Sequence, residues 1–253
     1  MPPLNTHLVI GERLFPTLPL DEATYGDFLL GGLIADVNSF GALDRRDTHL
    51  VGRIDEDGEA AYTQSCANFL RRRETLLRYP WDALDAGERA FVAGYFGHLA
   101  ADETWKAIDA RYRREHNIRS WREVPVPADV FLTAFSVESQ PHYRDFDAVA
   151  AALRPIEAVP DLFTHVPHAD VTWMWRAIKP ALLAPYTAAS YFDILARKGV
   201  SLEQLRAVRA EHARYWDAAF TLIADRGGVA AFLAEAVAHA AATLPALFAV
   251  ARC

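Results

Sequence analysis

One apolar stretch of the chain carries a histidine and a carboxylate four residues apart. In FGHLAADETW, residues 96–105, His98 and Asp102 interrupt an apolar pattern of helical period. Residues i and i+4 of an α-helix lie on the same face. The pair could therefore be a coincidental polar pair, an internal hydrogen bond within a core, or half of a metal site. Taken alone, a polar pair of this kind is more typical of a hydrogen-bonded core.

Further histidines and aspartates in the first half of the chain strengthen the metal interpretation. The unusual polar positions there are His7, Asp36, Asp47 and His49. Imidazole and carboxylate are the usual nitrogen and oxygen ligands of zinc, and two ligands from a helix plus two from other segments complete a four-coordinate site. Two carboxylates would also neutralise the ion, which makes burial tolerable. Simpler roles remain open, because Asp36 could end a helix and Asp47 could cap one.

Four segments, taken in order, resemble the zinc-dependent phospholipase C family, which is related in fold to the P1-type nucleases. They are THLVIGERLFP, FLLGGLIADVNSFG, RRDTHLVG and FVAGYFGHLAADETW. The residues that match the family's motifs are His7, Asp36, His49, His98 and Asp102. Where the family has a proline before the aspartate of the second segment, this chain has Ala35.

This resemblance implies a single compact multi-helix bundle that binds one or two zinc ions. Asp36, His49, His98 and Asp102 would hold one zinc, and Asp102 would bridge to a second metal supported by His7. The implied activity is hydrolysis of a phosphodiester or phosphomonoester, on a small-molecule or lipid substrate, with Asp36 as the catalytic carboxylate. Four later histidines are candidates for a further metal site, and they are His116, His142, His165 and His168.

Helical periodicity runs through almost the whole chain of 253 residues, which predicts an all-α fold in a single domain. Within residues 1–253, we expect a metal-binding core at 1–115, a proline-rich irregular segment at 116–170 and C-terminal helices at 171–253. The helices predicted individually lie at 6–15, 25–34, 60–79, 86–116, 171–198, 201–225 and 229–251. Thr6 is the expected cap of the first, and Ser201 with Gln204 forms a capping box for the sixth.

The net charge and the apolar segments of the chain bear on its partners and location. The formal net charge is −7, which is unfavourable for a stable nucleic-acid partner. The N-terminus lacks the pattern of a signal peptide, so a cytoplasmic location is expected. Residues 228–252 are apolar, but Glu235, His239 and Pro245 interrupt them. We therefore expect a buried terminal helix there and no transmembrane segment. The oligomeric state stays open.

Two other functions remain alternatives to the phosphoesterase. One is a non-catalytic helical scaffold or binding protein that keeps a structural metal site. The other is a helical bundle without any metal. The neighbouring Arg45 and Arg46 could hold a phosphate, although an exposed pair is the simpler explanation. The histidines of the C-terminal helices, His212 and His239, are expected to be structural.

Overall fold

The computed structural model describes residues 2–41, 43–51, 64–120 and 123–249. Within these ranges the chain forms eleven α-helices and no β-strand, and the single β-bridge joins Leu77 to Phe163. The all-α prediction is therefore confirmed. The helices are α1 Leu4–Leu14, α2 Tyr25–Ile34, α3 Arg45–His49, α4 Ser65–Leu76, α5 Ala86–Glu115, α6 Ala128–Ser139, α7 Phe146–Leu153, α8 His168–Leu182, α9 Ala188–Arg197, α10 Leu202–Asp225 and α11 Gly228–Ala249.

The long helix α5 organises the bundle. Its start is set by a capping box, in which the Asp85 carboxylate accepts a hydrogen bond from the Glu88 backbone N–H at 2.8 Å and the Glu88 side chain accepts one from Asp85. Apolar residues on several sides of α5 are fully buried, including Phe91, Phe96 and Leu99. A helix that is apolar over most of its circumference must be surrounded by other helices, and α5 packs against α1, α2, α4 and α11.

Two glycines bring α2 and α5 into backbone contact. A Cβ atom on Gly31 would overlap the carbonyl of Phe91, and one on Gly94 would overlap the carbonyl of Phe28. Only glycine permits this approach, since every other residue carries a Cβ. The close contact brings the residues that follow α2 next to the middle of α5, where His98 lies.

The predicted helix boundaries are accurate where a strong end signal stands in the sequence. Helix α2 has the predicted bounds, and α10 begins directly after the Ser201 cap, whose hydroxyl accepts a hydrogen bond from the Gln204 N–H. The first helix differs, because it begins at Leu4, and Thr6 lies inside it with its hydroxyl 2.8 Å from that of Ser139. The expectation of a Thr6 cap was wrong.

The middle of the chain is more helical than its prolines indicated. The segment expected to be irregular contains α6 and α7, and its prolines lie at or beyond helix ends, as Pro127 does directly before α6. Conversely, the single helix predicted at 171–198 is two helices, α8 and α9, with Pro185 in the connection between them. A proline lacks the N–H that a helix interior requires, which favours the break.

Two further predictions touch residues outside the described ranges. The helix predicted at 60–79 is observed as Ser65–Leu76, and residues 60–63 lie outside the described part. The last helix is described as far as Ala249.

By length and composition, α11 is the one helix among the described residues that could cross a membrane. In the structure it packs against α5 and α1 and buries one face, with Leu233, Ala240 and Leu244 fully enclosed. The core helices of soluble proteins meet the same length and composition criteria. In this packing, 33% of the most apolar 18-residue window of α11 is buried.

Candidate metal centre

The five residues singled out in the sequence come together at one place. His7 lies on α1, Asp36 in the 3-10 segment Ala35–Ser39 after α2, His49 at the end of α3, and His98 with Asp102 on α5. Each of these residues is at most 5% exposed. We call this set the His/Asp cluster. Its members come from four separate elements, so the tertiary fold has to assemble it.

The distances within the cluster suit a tetrahedral ion. The His49 Nε2 atom lies 3.3 Å from His98 Nε2, 3.3 Å from Asp102 Oδ2 and 3.5 Å from Asp36 Oδ1. The His98 Nε2 atom lies 4.0 Å from an oxygen of each aspartate. Four ligands bound to zinc at about 2.0–2.2 Å are separated from one another by roughly 3.3–3.6 Å. The observed spacings are close to this range.

Hydrogen bonds to backbone carbonyls fix the orientation of the two central histidines. The Nδ1 atom of His98 lies 2.8 Å from the carbonyl oxygen of Gly32, and that of His49 lies 3.2 Å from the carbonyl oxygen of Arg45. The Nδ1 atom of His49 also lies 2.8 Å from the Thr48 hydroxyl, which can donate to it or accept from it. A carbonyl only accepts, so the Nδ1 atom of His98 carries the proton and its neutral ring presents the lone pair of Nε2. This is the usual outer-shell arrangement of metal-bound histidine. The Nε2 atoms of the two rings lie 3.3 Å apart, a distance at which they can share a proton or bind one cation.

His7 completes the cluster from the opposite side of His98. The two rings are stacked, with centroids 3.7 Å apart, and His7 Nε2 lies 3.7 Å from Asp102 Oδ1. Three buried atoms of the cluster make no hydrogen bond, namely His7 Nε2, Asp36 Oδ1 and Asp102 Oδ1. Each buried polar atom left unpaired costs about 1–3 kcal/mol. Three at one point therefore indicate a site built to hold a ligand.

The electrostatics of the cluster favour the protonation states that metal ligands require. Burial and the neighbouring His98 lower the pKa of His7 to about 3, and burial also lowers the pKa of His98. Burial acts to raise the pKa of Asp36, but His98 and His49 outweigh it and lower that pKa overall. Burial also acts to raise the pKa of Asp102, but His49 and Arg45 outweigh it, so this pKa is lowered as well. Neutral imidazoles beside ionised carboxylates are ready to bind a cation.

Arg45, for which the sequence allowed either a phosphate-binding role or an exposed position, lies against the cluster. Its Nη2 atom lies 2.7 Å from Asp102 Oδ2, and its side chain is 32% exposed. It stands on α3, four residues before His49, so one helical turn carries both side chains to the cluster. That spacing was the available signal in the sequence. Arg46 instead points away and lies 3.9 Å from Asp44, with its side chain exposed.

Other candidates lie outside the cluster. Asp47 is exposed on α3, whose cap is Asp44, because the Asp44 carboxylate accepts a hydrogen bond from the Arg46 N–H. His49 ends that helix and does not begin one. The four later histidines belong to neither of the potential metal-binding groups found among the described residues. Those four are His116, His142, His165 and His168.

The later histidines have ordinary partners in the protein. His165 lies 3.3 Å from the Tyr95 hydroxyl, and His168 begins α8 with its Nε2 atom 2.7 Å from the Val159 carbonyl. His212 is buried between the Val208 carbonyl and the Thr133 hydroxyl, and His239 lies 2.9 Å from a Glu103 oxygen. These contacts are typical of structural histidines.

Comparisons with known proteins give no independent assignment. No protein-family model matches the chain, and neither a curated protein nor a solved structure matches it. The resemblance to the zinc-dependent phospholipase C family therefore stays a prediction, supported by the residues of the cluster and their geometry.

Proposed function

We propose that this protein is a metal-dependent phosphoesterase of the zinc-dependent phospholipase C type. Asp36, His49, His98 and Asp102 would hold one zinc ion, with His7 and Asp102 available to a second. The observation that carries the proposal is the convergence of three histidines and two aspartates in a buried cluster with unpaired atoms and ligand-like spacings. Nitrogen and oxygen donors of these types are the ones zinc takes in catalytic sites.

Zinc bound in such a cluster supplies a water of lowered pKa and polarises a phosphoryl oxygen. The protein's own groups can do the rest of the work. Asp36 lines a cavity next to the cluster, so its carboxylate is placed to accept a proton from an attacking water. Arg45 forms an ion pair with Asp102 and its side chain is 32% exposed, so it is available to donate hydrogen bonds to an anionic substrate.

A structural metal site without catalysis is the second candidate. It is favoured by one observation, the ion pair of Arg45 with Asp102, since this guanidinium already occupies one carboxylate oxygen and covers the cluster on that side. A closed site of this kind would contribute to folding stability alone.

The decisive experiment measures metal content, melting temperature and hydrolysis on one preparation. The purified protein is analysed for zinc, treated with a chelator and then reloaded. At each stage it is assayed with bis(p-nitrophenyl) phosphate and p-nitrophenyl phosphate. We expect bound zinc, and hydrolysis of at least one ester that disappears with the chelator and returns with the metal.

The role of Asp36 is tested by Asp36→Asn, with Asp161→Asn as its control. Removal of a general base typically lowers the rate by about a hundredfold or more. Asp161 pairs with Arg78 at the surface, and its replacement should leave the rate unchanged. A chelator that lowers the melting temperature of a protein inactive on both esters would favour the structural site. Metal-free protein with an unchanged melting temperature would contradict both candidates.

A further inference from the structure

A cavity of about 280 Å³ opens beside the His/Asp cluster. It lies between the N-terminal end of α1, the segment Ala35–Ser39, α6 and α9. Its walls are largely apolar, with contributions from Leu4, Leu132, Ile194 and Leu195. Ligand pockets are typically lined by apolar side chains with a few convergent polar groups, and this cavity has the apolar part of that pattern.

The cavity reaches the cluster through Asp36. This aspartate lines the cavity wall while its Oδ1 atom lies 3.5 Å from His49 Nε2. Ser39 and Phe40, which follow in the same segment, line the cavity as well. A molecule bound in the cavity would therefore touch the cluster at one end and the apolar wall at the other.

Lys198 brings a positive charge to the same wall. Its ammonium donates a hydrogen bond to the Ser39 carbonyl at 2.5 Å and lies 4.7 Å above the centre of the Phe40 ring. Among the described residues it has no carboxylate partner, and an ammonium has three donors. Burial lowers its pKa, an effect that a bound anion would oppose. The other acidic residue of the wall, Asp129, lies 3.9 Å from His212 Nδ1.

We propose that this cavity is the substrate pocket and that it takes a small phosphoester with one aryl or short acyl group. The apolar group would occupy the wall formed by α6 and α9, and Lys198 would hold the phosphate at the end where Asp36 lies. The volume sets the size of the substrate, since it falls just below the 300–1,000 Å³ typical of sites for drug-sized ligands. Two long acyl chains would not fit. This inference rests on the proposed function for its orientation, because the phosphate is placed beside the cluster.

Binding is tested separately from hydrolysis, with ligands that the enzyme cannot cleave. Isothermal titration of the purified, zinc-containing protein uses 1-naphthylmethylphosphonate, methylphosphonate and 1-naphthalenemethanol. We expect the naphthyl phosphonate to bind at least tenfold more tightly than either smaller molecule, because only it engages both the apolar wall and the cation.

Two variants with matched controls locate the site. Lys198→Met keeps the aliphatic stem and should raise the Kd of the naphthyl phosphonate about tenfold. Lys179→Met is its control, since Lys179 also donates to a backbone carbonyl and lies over an aromatic ring, but does not line this cavity. Leu195→Trp fills the cavity and should weaken the same ligand by a similar factor, while Leu202→Trp, at an exposed position, should not.

The outcomes separate this inference from the proposed function. If the protein hydrolyses no ester but binds the naphthyl phosphonate in the expected pattern, the proposed phosphoesterase activity is contradicted and the proposed binding pocket is supported. If zinc-dependent hydrolysis is present but Lys198→Met behaves like Lys179→Met in both affinity and KM for 1-naphthyl phosphate, the pocket is overturned. Equal affinity for methylphosphonate and its naphthyl analogue would overturn it as well. Melting curves of each variant show that it is folded, and Lys198→Met carries the test should Leu195→Trp unfold.

Discussion

Two adjacent carboxylates on α5, Asp102 and Glu103, have similar burial and very different surroundings. Asp102 is 4% exposed and Glu103 is 7% exposed. Both oxygens of Glu103 have single partners, since Oε1 accepts the Cys66 N–H at 2.8 Å and Oε2 lies 2.9 Å from His239 Nε2. Asp102 instead faces three histidines and Arg45, and its Oδ1 atom makes no hydrogen bond.

Similar burial is therefore found both for a carboxylate with complete hydrogen bonding and for one in the candidate metal centre. On the Glu103 side of α5, every acceptor is matched by a donor, so the contact is complete within the protein. On the Asp102 side, potential ligand atoms converge and some make no hydrogen bond, so a cation placed among them would stabilise the cluster. The following predictions test this distinction between the two sides of α5.

The largest effect is expected from replacing His98, whose Nε2 atom lies near His49 and both aspartates of the cluster. His98→Ala should abolish zinc binding, because His98 belongs to both of the potential metal-binding groups. When the free zinc concentration is a thousand times the Kd, loss of zinc binding lowers the free energy of unfolding by about 4 kcal/mol. For a chain of this size that corresponds to a fall in Tm of roughly 10 °C. Elemental analysis and thermal melts measure both quantities.

His239→Ala is the control on the other side of α5. It removes the partner of Glu103 and should leave the zinc content unchanged. Equal loss of zinc in the two variants would break the comparison, because it would place His239 in the metal site.

The next effect concerns the glycine contact that positions the cluster. Gly94→Ala should destabilise the protein by about 3 kcal/mol, since the new Cβ would overlap the Phe28 carbonyl and force α2 away from α5. Gly97→Ala lies on the same helix, and its Cβ would meet only side-chain atoms, of which the nearest is Leu14 Cδ2 at 3.4 Å, so it should be neutral or slightly stabilising. Urea unfolding compares the two, and equal stabilities would show that the close helix contact is not needed.

A smaller, pH-dependent effect is expected at His165, which contacts α5 through Tyr95. Burial and the nearby Arg72 lower the pKa of His165 from 6.5 to about 4. Between these values the unfolded chain binds a proton that the folded state does not, so the free energy of unfolding falls as the pH falls. Through this group the native protein should lose about 1 kcal/mol of unfolding free energy between pH 7.5 and pH 5.5, and His165→Gln should not show that loss. Denaturant unfolding at several pH values measures it, and parallel curves for the two proteins would contradict the prediction.

The smallest effect is expected at Glu103. Glu103→Gln keeps an acceptor for the Cys66 N–H and weakens only the contact with His239, which should cost about 1 kcal/mol. The zinc content should not change. The partner variant Asp102→Asn removes an ionised ligand and should lower zinc affinity at least tenfold. If both substitutions lower the zinc content alike, the two carboxylates do not have the separate roles described.

Local sequence signals were sufficient for much of the fold. The capping box of α10 placed its start within one residue, and apolar periodicity placed the start of α5 and the bounds of α2. Prolines were less informative, because the chain tolerates Pro180 and Pro245 inside helices while Pro185 lies between two. The effect of a proline depends on whether the freed carbonyl finds another partner, which the sequence does not state.

The sequence specifies the candidate ligand types, their order along the chain and the helical spacing that places His98 and Asp102 on one face. It also determined the glycines at 31 and 94, although not their purpose. Only the tertiary structure decided that His7, Asp36 and His49 meet that face, that Arg45 joins them, and that Lys198 lies on the adjoining cavity wall. The physical reason is that helical periodicity fixes neighbours within about one turn. Contacts between distant segments depend on how closely the backbones can approach, and here two missing side chains set that distance.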